Sequence, residues 1–349
     1  MASQFPDRGV LAQDGPLLAY RRLIAATVLI TFSLIMLGAW VRLTDAGLGC
    51  PDWPGCYGKL TPRQASAEIA NAVGAQGGEH GPVSMGKAWR EMIHRYVASG
   101  LGLLILGIAA TAWAMRARLR QSPILPTVLV GVVIFQGLLG MWTVTLLLKP
   151  AIVTLHLAGG MLTLALLVWL WQRQHRLRMP VDPEPLAALR GPALIGLVVL
   201  SLQILLGGWT STNYAALACI DLPACNGRWW PDMNFVDAFH VFRELGRTDD
   251  GEFLPVQALV AIHMMHRIGA VAATAVLGWL AWRTLLTDGV RGLGYLLVLA
   301  LALQISLGLA NVWLSLPLPV AVAHNGGAAL LLCLLVVLNF RAGRARLSI

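Results

Sequence analysis

Residues 22–41 read RLIAATVLITFSLIMLGAWV, one cation followed by 19 residues without a charge. At about 1.5 Å of rise per residue, a helix of roughly 20 apolar residues covers the ~30 Å hydrocarbon core of a bilayer. A secretory signal has a shorter apolar core of about 7–15 residues and ends at a small-residue cleavage site. Neither feature is found here, so the stretch reads as a first membrane span. Seven more stretches of the same kind follow, at 90–115, 124–145, 151–172, 191–211, 257–283, 291–315 and 319–340. The spacing predicts an all-α polytopic membrane protein with eight transmembrane helices. Composition agrees: 57% of the 349 residues are hydrophobic and 12% charged. Such a balance excludes an ordinary soluble enzyme and a disordered or coiled-coil chain.

The net charge of +9 would suggest nucleic acid in a soluble protein. Sorted by side of the membrane it has another meaning. The segments sharing the side of the termini hold 15 Lys and Arg against five acids, and the opposite side holds nine against 12. The positive-inside rule then puts both termini in the cytoplasm. Arg95 and Arg267, inside helices, make up the remainder. No nucleic-acid partner is implied; the partner is the lipid bilayer.

The second half repeats the first. Leu37-Gly38-Ala39-Trp40 matches Leu206-Gly207-Gly208-Trp209 at an offset of 169, as do Cys50 and Cys56 with Cys219 and Cys225. His94-Arg95 matches His266-Arg267 at 172; Gln136, Gly140, His156 and Gly159 match Gln304, Gly308, His324 and Gly327 at 168. Four spans per repeat is an even number, so the halves enter the membrane in the same direction, related by a pseudo-twofold axis along its normal. The expected architecture is two tandem four-helix bundles: a cytoplasmic segment 1–21, a first repeat 22–173, a linker 174–190, a second repeat 191–341 and a tail 342–349.

Four of the eight His fall at repeat-equivalent places, near the outer start of the second and fourth span of each half: His94 and His156, then His266 and His324. Packing alone has no need of the same residue twice in each half. Two imidazoles from facing helices suit an octahedral iron in a porphyrin, whereas zinc would ask for further ligands in each half. Arg95 and Arg267 are placed either to pair with haem propionates or to snorkel to headgroups. The halves differ at one informative position: Glu91, one turn from His94, is replaced by His263. A carboxylate there can move protons or stabilise charge, or can simply sit favourably at a helix start; His263 offers an alternative ligand or a hydrogen-bond partner. Cys50/Cys56 and Cys219/Cys225 lie in outer loops with Pro51, Pro54 and Pro223, where local disulfides are expected, with either a structural or a redox role. Cys333 reads as packing, His80, His175 and His240 are assigned no role, and the small-residue tract Ala65–Gly86 reads as irregular.

Gly38-Ala39-Trp40-Val41-Arg42-Leu43-Thr44, Gly47-Leu48-Gly49-Cys50-Pro51-Asp52-Trp53-Pro54 and Glu91-Met92-Ile93-His94-Arg95, taken with eight spans, the duplication and one His on each even span, resemble the haem A synthase family, bacterial type with two cysteine pairs. The resemblance covers essentially the whole chain. It implies oxidation of the C8 methyl group of haem O to the formyl group of haem A by successive hydroxylations, for terminal oxidase assembly. It further implies a resident haem b on His266 and His324, the substrate haem on His94 and His156, and Glu91 as a required catalytic carboxylate. A bacterial inner membrane, hand-over from a haem O synthase and an electron donor that the sequence does not identify follow from the same resemblance; a homo-oligomer is left open. Two other readings stay in play: a di-haem b membrane electron carrier, and a haem transporter or chaperone.

Overall fold

The computed structural model describes residues 8–76, 78, 81, 83–175 and 182–346, without the side chains of 8–14. His80, Arg176, Arg178 and parts of the expected amino-terminal segment, linker and tail lie outside the described residues. The helices are α1 (Arg8–Leu43), α2 (Ser66–Ala75), α3 (Met85–Ala114), α4 (Arg116–Leu119), α5 (Ile124–Thr145), α6 (Pro150–Arg173), α7 (Glu184–Ala188), α8 (Arg190–Thr212), α9 (Phe235–Ala238), α10 (Val256–Leu285), α11 (Arg291–Trp313) and α12 (Leu318–Arg346). Eight of the described helices are long and apolar enough to cross a membrane. These are α1, α3, α5, α6, α8, α10, α11 and α12, each overlapping one expected stretch, and no β-strand occurs among the described residues.

The local chemistry sets the helix ends. Ser84 accepts a hydrogen bond from Lys87 N at 3.2 Å and caps α3, while Pro150 occupies the first turn of α6, where its missing N–H costs nothing. Mid-span hydroxyls have no water to bond, so Thr27 and Thr31 donate back to Leu23 O and Thr27 O at 2.8 and 2.7 Å. Leu29, Leu103, Ile134, Val271 and Leu299 remain exposed on the outer faces of the spans, where lipid is the natural solvent. One expectation is corrected here: the tract Ala65–Gly86 is not irregular throughout, because Ser66–Ala75 forms α2. Its Ile69 is buried in a small core with Cys50, Cys56, Val83 and Met92.

Within each half, neighbouring spans pack in sequence order, α1 on α3, α3 on α5 and α5 on α6, then α8 on α10, α10 on α11 and α11 on α12. Between the halves, α1 meets α12 and α6 meets α8 and α12. The seam is a core rather than a gap: Met161, Leu164 and Val168 of α6 share a buried cluster with α8, α10, α11 and α12. Residues 169 apart, equivalent in the sequence repeat, touch one another there. Arg42 Nη2 donates to Ser211 O at 2.6 Å and Tyr214 donates to Asp45 Oδ1 at 2.7 Å, with the Arg42 guanidinium 4.0 Å from the Tyr214 ring centre.

Candidate functional site: two histidine pairs under two disulfide loops

The four histidines lie in the first three turns of α3, α6, α10 and α12. All are half-buried, and each imidazole rests on a glycine of a neighbouring span. A Cβ would come within 3.0 Å of the His94 ring at Gly38, 3.5 Å of His156 at Gly140, 3.1 Å of His266 at Gly207 and 3.2 Å of His324 at Gly308. Side chains at Gly38, Gly207 and Gly308 would crowd the rings, while a Cβ at Gly140 would meet His156 in ordinary contact. The His94 and His156 ring centres are 6.4 Å apart with planes at 70°. Two metal–imidazole bonds of about 2 Å, each extended by the ~1 Å from nitrogen to ring centre, give roughly that separation. His94 Nδ1 and His324 Nδ1 are buried without a partner. The donor set, the spacing and the unpaired nitrogens fit an iron porphyrin held by two imidazoles. Among the described residues no group of three or more His, Cys, Asp and Glu converges. His240 instead lies 3.8 Å from Asp249, and His175 packs on Trp171.

Above each pair sits a loop with the same construction. Cys50–Cys56 and Cys219–Cys225 are disulfide-bonded as expected, whereas Cys333 is free. Each loop closes in a tight turn, Cys56 to Lys59 and Cys225 to Arg228, whose central residues Tyr57-Gly58 and Asn226-Gly227 all have positive φ. Asp52 accepts from Gly58 N and Asp221 from Gly227 N, both at 2.8 Å, and each carboxylate also takes the preceding amide. These amide donors hold the Asp221 carboxyl below the usual carboxylate range. Burial, followed by the charges of Asp52 and Glu91, pushes the Tyr57 phenol up.

Arg95 and Arg267 latch these loops to the histidine helices. Arg95 Nη1 donates to Asp52 O at 2.8 Å and Gly55 O at 2.6 Å. Arg267 donates to Asp221 O, Ala224 O and Cys219 O, each at 2.9 Å. The guanidiniums therefore have loop carbonyls as partners, a third role beside the propionate and headgroup alternatives. Glu91 is buried; it accepts from Cys50 N at 2.9 Å and pairs with Arg95. His263 takes its place in the second half, 3.3 Å from both Cys219 N and Arg267 Nε. A neutral imidazole accepts at only one nitrogen, so those contacts compete, while the carboxylate satisfies both donors at once.

The residues that sequence reasoning missed are the two aspartates and a set of glutamines. Gln203 Nε2 donates to His266 O at 3.0 Å and faces His266 Nδ1 at 3.0 Å. The Gln136 amide, turned so that its nitrogen meets acceptors, reaches His156 O at 3.1 Å and Nδ1 at 2.9 Å. Gln304 Nε2 lies 3.3 Å from His324 Nε2. The repeat alignment already carried Gln136 and Gln304; only the fold shows what they face.

Eight spanning helices in two repeats, each with an imidazole pair under a latched disulfide loop, define a polytopic, duplicated membrane protein. Residues 21–336 match the model of the COX15-CtaA family, described as cytochrome oxidase assembly protein. The chain is 45% identical to the Heme A synthase of Shewanella oneidensis over 91% of its length and 95% of the relative's. It is 28% identical to that of Halalkalibacterium halodurans over 62% and 67%, and 26% identical to that of Symbiobacterium thermophilum over 78% and 79%. The chain belongs to the haem A synthase family.

Proposed function

We propose that this protein is a haem A synthase, an oxidoreductase that converts the C8 methyl group of haem O to the formyl group of haem A for terminal oxidases. The observation that carries the reading is a pair of equivalent sites made unequal in charge: Glu91 stands above His94, and His263 stands above His266. In this reading residues 22–173 hold the substrate haem between His94 and His156, and residues 191–341 hold haem b between His266 and His324. Bound iron supplies the redox chemistry. The chain's part is to orient each ring through its imidazoles, to exclude water with the bundle walls, and to cover the sites with the two loops. Glu91 Oε2 keeps Cys50 N engaged while Oε1 holds Arg95, so a charged group stays one turn from the reacting site without solvent.

The charge sorting supports a bacterial inner-membrane protein with both termini in the cytoplasm and both disulfide loops on the periplasmic side. Haem O is poorly soluble, which favours direct hand-over from a haem O synthase; crosslinking the two in native membranes tests it. The central experiment is chemical analysis of the haems extracted from protein purified out of aerobic cells that do or do not make haem O, where the cell supplies the oxidant and the electrons. Formyl or hydroxymethyl haem is expected, while an electron carrier or transporter yields neither. Glu91→Ala should retain the second-half haem and stop haem A formation, and undiminished conversion would remove Glu91 from the mechanism.

A further inference from the structure

Three of the four histidines share a surrounding that the fourth lacks. Gln136, Gln203 and Gln304 each stand four residues before the glycine under the imidazole they face, namely Gly140, Gly207 and Gly308. Each lies in space cleared by a second glycine, three residues after a histidine: a Cβ at Gly159, Gly269 or Gly327 would overlap the Gln136, Gln203 or Gln304 amide. At His94 the equivalent positions are Leu34 and Val97. Leu34 is buried and has no hydrogen-bonding group; His94 Nδ1 is buried without a partner, and although His324 Nδ1 is unpaired too, the His324 ring meets Gln304 through its other nitrogen, Nε2.

A hydrogen bond to the second nitrogen fixes an imidazole's tautomer and orientation, and such partners change metal affinity about 10–100-fold. An imidazole that binds iron through one nitrogen carries its proton on the other. The acceptor beside it is the glutamine's own Oε1, which at Gln203 and Gln304 is buried and unpaired; when iron takes one ring nitrogen the amide turns to present Oε1 to the other, exchanging its bond to the backbone carbonyl at Gln136 and Gln203 for one to the ring. His94 has no such acceptor.

We propose that His94 is the releasable ligand of the first site: Gln136, Gln203 and Gln304 are positioning residues that hold the other three imidazoles on iron, and the Leu34/Val97 pair leaves His94 free to let go. This rests on the reading that His94 and His156 bind a haem. It matches the different demands on the two halves, because a substrate haem must leave after each conversion and a resident haem must not. His156 keeps the ring in register while His94 opens.

The test uses the purified protein with haem in both halves, reduced, with carbon monoxide as the probe, since CO binds only where an axial imidazole has left. The wild type should bind CO at one haem, and that haem should be lost in His94→Ala/His156→Ala. Leu34→Gln/Val97→Gly, which installs the missing pair, should slow CO binding at least about tenfold at unchanged haem content. Gln203→Leu should make the second-half haem bind CO, and this arm decides should the double variant not fold. Unchanged CO kinetics in a fully loaded Leu34→Gln/Val97→Gly protein, or no CO binding gained in Gln203→Leu, overturns the proposal. A haem content that His94→Ala/His156→Ala leaves untouched instead overturns the parent reading, so the two failures are distinguishable.

Discussion

At the scale of single residues, the Glu91/His263 exchange separates the halves most sharply. A buried carboxylate can take a backbone N–H and a guanidinium together; a neutral imidazole cannot. Glu91→Gln keeps an oxygen for Cys50 N but leaves Arg95 without its counter-charge, whereas Glu91→Ala removes both. Losing one partner of a buried ion pair costs about 3–5 kcal/mol, and a hydrogen bond to a charged group contributes about 1.5–3. Thermal unfolding in detergent should therefore rank wild type above Glu91→Gln above Glu91→Ala, with about 1–2 kcal/mol between the two variants. Equal melting of all three would mean that the latch contributes nothing to stability.

The disulfide loops are the elements whose behaviour depends on pH. Asp221 has its folded-state pKa lowered by the amides of Gly227 and Asn226. A lowered carboxyl pKa adds stability that is complete above the unfolded value and is lost as pH falls through the folded one. Protection of the Gly227 amide from hydrogen exchange should thus persist at the ordinary carboxylate pKa and disappear only at more acidic pH. Asp221→Asn should lower that protection and remove its pH dependence; a wild-type profile in this variant would show that the turn holds itself. Helix α2 belongs to the same scale. Its four alanines favour a helix that ten residues alone do not hold, and the burial of Ile69 against Cys50 and Cys56 stabilises it.

Over the whole molecule, the seam between the repeats relies on close packing more than on its polar contacts, Arg42 to Ser211 O and Tyr214 to Asp45. Asp45, which takes the Tyr214 hydroxyl, has a side chain 55% exposed and pairs with Arg42 of the same repeat at 3.4 Å, and exposed polar pairs of this kind contribute about 0–1 kcal/mol. Glycines bring the spans together: a Cβ at Gly326 would lie 3.1 Å from Met36 Sδ, and one at Gly208 3.0 Å from Leu157 Cδ2. Gly326→Ile should cost about 1–3 kcal/mol through overpacking and loosen both sites, and Asp45→Ala should melt within about 1 kcal/mol of wild type. Comparable losses in the two variants would place the seam's strength in the polar contact.

The sequence by itself determined the eight spans, the duplication, the four histidines, the cysteine pairs and the unequal Glu91 and His263. All are properties of residue type and spacing along one chain: the length of an apolar run is set by bilayer thickness, and a repeat is visible as an offset. The tertiary structure decided what those residues touch. That Arg95 and Arg267 hold loop carbonyls, and that three imidazoles face a glutamine amide while His94 has Leu34 at the equivalent position, depend on contacts between segments tens of residues apart. Such contacts follow from the packing of helices against one another, which no local pattern encodes.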